Sequence, residues 1–144
     1  MISVSIANQQ EALELDYARI REVGKAVLAG EGVTKGKVTC AFMTDPAIHV
    51  LNKRFLNHDE PTDVITFPYS EKPLQGDLAI SVDTAATVAK ERGHAVGDEL
   101  LLYVIHGILH LCGYDDQTEK DRQAMRERES HYLGELSVKV ARVD

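Results

Sequence analysis

The chain has 144 residues, 44% apolar and 27% charged, with 16 basic against 23 acidic side chains and a net charge of −7. That length suits one domain able to bury roughly two-thirds of the surface its unfolded chain exposes, and the ordinary composition excludes disordered and fibrous classes. No run approaches the ~20 apolar residues of a membrane span, and an acidic N-terminus is not a secretory leader. Cys40 and Cys112, without a pairing pattern, fit a reducing cytoplasm, and the acidic balance argues against a bulk electrostatic grip on nucleic acid or anionic lipid.

No internal repeat, low-complexity tract or linker interrupts the sequence, so one domain is expected over residues 1–144. Ile2, Val4 and Ile6 alternate with serines, the period of a half-buried strand. Residues 10–29 turn helical, with Leu13, Tyr17, Ile20, Val23, Ala26 and Val27 on one stripe, ended by Gly30 and Gly32. Residues 38–42 read as an interior strand. Asp45 before Pro46 is a cap for a short helix to about Phe55. A polar loop over 57–63 precedes a strand from Val64 closed by Pro68. A turn is expected at Leu74-Gln75-Gly76 and a strand at 77–81. Asp83 caps a helix over 84–92 that Gly93 ends. The next helix, 99–111, is apolar on nearly every face and therefore central. A last helix, 119–133, is charged, with Met125, Tyr132 and Leu133 left for packing. Strands and helices without a βαβ rhythm give an α+β fold, a small mixed sheet of about four strands packed with about five helices.

His106 and His110 interrupt the central apolar helix. Their i, i+4 spacing brings the Cβ atoms within about 5–6 Å on one face, a separation that one metal ion bridges. A metal satisfies both ring acceptors together, which apolar surroundings cannot. After Gly113 the chain reverses, and Asp116 or its neighbour Asp115 completes a two-His, one-carboxylate set suited to Zn²⁺ or another transition metal; Asp115 equally suits a turn or helix cap. Gly107 stands where a zinc peptidase of the H-E-x-x-H kind carries its general base, so that chemistry is disfavoured. Cys112 is off the histidine face and is expected to be a small packing residue. His58 is expected on the surface, Thr62 and Asp63 in a turn, and the charge run from Glu119 to Glu129 on a solvated face.

The segment His106-Gly-Ile-Leu-His110-Leu-Cys-Gly-Tyr-Asp-Asp116 closely resembles the H-G-x-L-H-L-x-G-Y-D-H signature of the YbeY family of bacterial rRNA maturation factors. Leu51-Asn52 followed by Asp59-Glu-Pro-Thr-Asp63-Val-Ile-Thr-Phe67-Pro68 resembles a second family segment, and Gly76-Asp77-Leu-Ala-Ile80 a third. The blocks fall in family order and span essentially the whole chain. The resemblance implies a single-strand-specific, metal-dependent endoribonuclease acting in 16S rRNA 3′-end maturation and ribosome quality control. It implies zinc, one ion per chain, with another divalent transition metal also accommodated, on His106, His110 and Asp116; the third position is usually histidine. The implied partners are ribosomal RNA and the small ribosomal subunit, with a ribosomal protein or a GTPase as protein partner, in the cytoplasm, and neither membrane nor DNA. Leu56 stands where many members carry an arginine, so Lys53 and Arg54 are the candidates for RNA contact. Two other readings stay open: a ribosome-associated assembly factor with a mainly structural metal, and a metal hydrolase on another substrate. An acidic chain of this kind meets a few phosphates at a cleft and relies on the ribosome or a partner for targeting.

Overall fold

A computed structural model describes residues 1–141. The alternating N-terminal residues form β1 (Ile2–Asn8), which pairs in parallel with β2 (Gly36–Met43), Val4 opposite Val38. β2 pairs in parallel with β4 (Leu74–Ser81), and β3 (Val64–Glu71) joins β4 antiparallel, giving the mixed order β1-β2-β4-β3. Five helices complete an α+β fold: α1 (Tyr17–Gly30), α2 (Asp45–Leu56), α3 (Val82–Arg92), α4 (Val96–Leu111) and α5 (Glu119–Glu135).

Three local expectations are corrected. The first helix begins at Tyr17, because Gln10 closes a loop instead: its amide donates to Asn8 Oδ1 and Leu13 O, both at 2.8 Å, and accepts from Leu13 N. Leu13 and Leu15 still pack on the core, so their apolar spacing serves a loop rather than a helix. The turn expected at 74–76 sits at Lys72-Pro73, and β3 runs past Pro68 with an irregularity before Ser70. An edge strand tolerates proline because its outward N–H needs no partner. Finally, neither Asp45 nor Asp83 caps its own helix: Asp83 Oδ2 accepts from Asp45 N at 2.7 Å, while Asp45 Oδ1 accepts from the hydroxyls of Ser81 and Thr84. Thr44 and Ser81 are the N-caps, and this exchange ties the start of α2 to the start of α3.

Alternation along the strands sends Val38, Cys40, Leu78 and Ile80 to one face, the main core beneath α1 and α4. Met43, Ile65 and Ala79 face the other way and pack with Ile48 of α2. α4 lies against β4 closely enough to require glycine on both sides. A Cβ at Gly107 would fall 2.7 Å from Leu78 Cδ2, and one at Gly76 2.7 Å from Leu111 Cδ2. Gly107 is therefore also the contact that seats the histidine helix on the sheet.

α5 buries Met125, Tyr132 and Leu133, as expected. It is pinned to the end of α1 by Glu31, whose Oε2 accepts from Arg128 Nε at 2.7 Å and Tyr132 Oη at 2.5 Å. Burial pushes the Glu31 carboxyl up, but hydrogen bonds from Tyr132, Arg128 and Tyr114 outweigh it and hold the group below its ordinary value of 4.5. A depressed carboxylate contributes stability that is present above the unfolded value and lost as pH falls through the folded one. Glu31→Gln should therefore be less stable than wild type at neutral pH, with the difference shrinking below about pH 4.5; melting curves across pH check this, and a constant difference would refute it.

Candidate functional site

His106 and His110 lie one turn apart on α4, both half-buried. His106 Nδ1 is 2.5 Å from Glu129 Oε2 on α5, and Glu129 is only 6% exposed. A carboxylate accepts, so Nδ1 carries the proton and Nε2 is left as the ring's metal-competent atom. Burial pulls the His106 pKa down, yet the hydrogen bond and charge of Glu129, then the charges of Asp63 and Asp116, win and raise it above its ordinary value. A field that favours a proton on this ring equally favours a metal cation beside it.

His106 and Asp116 line the same cavity, about 320 Å³, with Asp63, Glu99 and Glu129 adding carboxylates to its wall. Glu99 is 2% exposed and is held by His94: Ala141 N–H donates to His94 Nδ1 at 2.9 Å, so Nε2–H faces Glu99 Oε1 at 2.6 Å. Asp63 immediately precedes β3 and accepts from Val64 N at 2.7 Å, the turn role expected for it, while also contributing charge to the cavity. Asn52, 4% exposed, donates to Glu60 O at 2.8 Å and so clamps the 57–63 loop to α2.

The expected three-donor set is brought together only in part. His110 does not line the cavity, and its ring has no hydrogen-bond partner among the described residues. Among the described residues no three His, Cys, Asp or Glu side chains are grouped to hold a metal ion. The histidines are set by α4, whereas Asp116 is exposed on the loop after Gly113 (φ 109°). That loop is shaped by Asp115, whose Oδ1 accepts from Asp116 N at 2.8 Å, and by Arg122, whose Nη1 donates to Asp116 O and Gln117 O. The donor chemistry fits a borderline divalent metal: a histidine oriented by a buried carboxylate, a second imidazole without a partner, and a carboxylate on the same cavity as the first. Cys112 packs on the core, and burial, then Glu31, push its thiol up to about 11, in keeping with a packing role.

Lys53 and Arg54 sit in the last turn of α2, Lys53 3.9 Å from Asp59 Oδ1 and Arg54 stacked 5.5 Å over Phe55. Neither lines the His106 cavity, and Leu56 is 48% exposed at the end of the same helix. The cations that do line it are Arg92, Arg122 and Arg126. The charge run of α5 is thus corrected from a wholly solvated face to one that supplies Glu129 and two of these arginines. A signal for Glu129 existed: Met125, Glu129, Tyr132 and Leu133 are spaced as one buried helical stripe, with a carboxylate where an apolar residue belongs.

A four-stranded mixed sheet carrying a central helix with an i, i+4 histidine pair, opened on one side by an acidic cavity, defines a class of α+β proteins with a prospective metal-binding cleft. Residues 5–137 match the family described as Endoribonuclease YbeY, and the chain belongs to that family. It is 42% identical over 121 residues to an endoribonuclease YbeY of Rhodopirellula baltica, covering 81% of this chain and 62% of that one. It is 39% identical over 134 residues to that of Bacteroides thetaiotaomicron, covering 90% of this chain and 98% of the relative. The chain thus spans about three-fifths of the length of the Rhodopirellula relative and nearly all of the Bacteroides one. A solution structure from Thermotoga maritima superposes with a TM-score of 0.71 at 30% identity, covering 92% of this chain and 88% of that one. No helix among the described residues is long and apolar enough to cross a membrane.

Proposed function

We propose that the chain is a single-strand-specific, zinc-dependent endoribonuclease, with one zinc ion held by His106, His110 and Asp116, acting in 16S rRNA 3′-end maturation and ribosome quality control. The observation that carries this reading is the His106–Glu129 pair, 2.5 Å apart, on the wall of an acidic cavity shared with Asp116, in a chain of this family. When bound, zinc supplies polarisation of a phosphoryl oxygen and a water acidic enough to deprotonate near neutral pH. The chain's own residues do the rest. Glu129 holds the Nδ1 proton and fixes the plane of the His106 ring; Leu102, Tyr103 and Met125 provide the less polar part of the cavity wall. The proposed setting is the cytoplasm, with ribosomal RNA of the small subunit as substrate and a ribosomal protein or GTPase as docking partner.

Metal analysis combined with single-turnover cleavage of an unstructured, end-labelled RNA tests the reading. Stoichiometric zinc is expected, with cleavage lost on chelation and restored by zinc. Protein that holds its metal and never cuts would instead be an assembly factor with a structural ion. Asp116→Ala should lose most metal affinity while Asp115→Ala keeps it; full affinity in Asp116→Ala would remove Asp116 from the ligand set.

A further inference from the structure

Leu56 at the end of α2 carries no charge, and the neighbouring cations Lys53 and Arg54 do not line the cavity. Positive charge reaches it from elsewhere. Arg122 and Arg126 are one turn apart on α5 and so share a face, and Arg92 is the last residue of α3. Arg122 is already oriented. Its Nη1 donates to Asp116 O at 3.2 Å and Gln117 O at 3.3 Å, and its Nη2 to Glu119 Oε2 at 3.0 Å. Of the five N–H donors of a guanidinium, Nε–H and one on Nη2 remain, beside the backbone of Asp116. Planar forks of this kind match phosphate oxygens.

We propose that Arg122 and Arg126 of α5, together with Arg92 of α3 on the same cavity, grip the phosphodiester backbone of single-stranded RNA in this chain. The inference rests on the nuclease reading for its ligand. The charges on the wall make the grip conditional: three arginines face four carboxylates, Asp63, Glu99, Asp116 and Glu129, so the wall is net acidic until a divalent cation reverses its sign. RNA and metal should therefore bind cooperatively.

The test measures binding of a fluorescent, uncleavable 2′-O-methyl oligonucleotide by anisotropy, with zinc and after chelation, over a salt series. Arg122→Gln/Arg126→Gln should weaken binding about tenfold or more and flatten the log K against log salt slope by about 1.4, at about 0.7 per lost phosphate contact on a single strand. Arg92→Gln, an exposed site, gives an independent arm with a slope change of about 0.7 should the double variant melt early. Lys25→Gln/Lys35→Gln removes the same charge from exposed positions away from the cavity and should change the slope little. Arginine variants that bind and respond to salt like wild type overturn the inference while leaving the nuclease reading intact. Arginine-dependent binding without any cleavage overturns the nuclease reading and keeps the grip. Wild type that binds no oligonucleotide with zinc present overturns the inference, and cleavage then decides the nuclease reading separately.

Discussion

His106→Ala is expected to abolish stoichiometric zinc binding and RNA cleavage together, and Glu129→Gln to weaken zinc by about 10–100-fold without abolishing it. The grading follows from the different roles of the two residues in the proposed site. In the proposed site His106 would be a ligand, whereas Glu129 would act through it, from 2.5 Å behind the ring. Glutamine keeps the size of the buried side chain and an accepting oxygen, so the ring stays roughly placed, but the negative charge that makes Nε2 a better donor is gone. Competition against a chromophoric chelator measures both variants, and melting curves show that they remain folded. Unchanged zinc affinity in Glu129→Gln would mean that the carboxylate serves packing of α5 alone.

Gly107→Ala should destabilise the fold even though alanine is the better helix former. Alanine gains about 1 kcal/mol over glycine in a helix interior. Against this, the new Cβ falls 2.7 Å from Leu78 Cδ2, and Leu78 is fully buried, so it cannot swing aside. Overpacking of this kind costs about 1–3 kcal/mol, and with Leu78 Cδ1 also only 2.8 Å away the cost is expected in the upper part of that range, about 2–3 kcal/mol, which outweighs the propensity gain. The melting temperature should fall by about 3–6 °C for a net loss of about 1–2 kcal/mol in a chain of this size. The sign should reverse in a Leu78→Ala background, where the collision is gone and only propensity remains. A double-mutant cycle that is simply additive would show that α4 and β4 are not in contact through this pair.

Much of this molecule was legible along the chain. The serine–aliphatic alternation marked β1, and the all-round apolar run marked α4 as the central helix. The histidine spacing inside it marked the chemistry, and three separated motifs marked the family. Where local reading failed, a side chain had a partner that periodicity does not register. Gln10 closed a loop on Leu13, so the helix began later than its apolar spacing suggested. Asp45 and Asp83 both had the form of caps for their own helices, yet their hydrogen bonds reach 36 to 39 residues away, Asp83 accepting from the first N–H of α2 and Asp45 from two hydroxyls at the start of α3.

What the sequence determined by itself was therefore the set of elements, their order and the identity of the histidine pair, because strand and helix periods and i, i+4 spacing are properties of neighbouring residues. What only the tertiary structure decided was the company His106 keeps. Glu129 lies 23 residues further on, and Arg92, Arg122 and Arg126 come from two other helices. Which of many acidic and basic side chains meet at one cavity depends on how α3, α4 and α5 pack, and packing is settled by shape. Gly107 against Leu78 and Glu31 between Arg128 and Tyr132 set that shape.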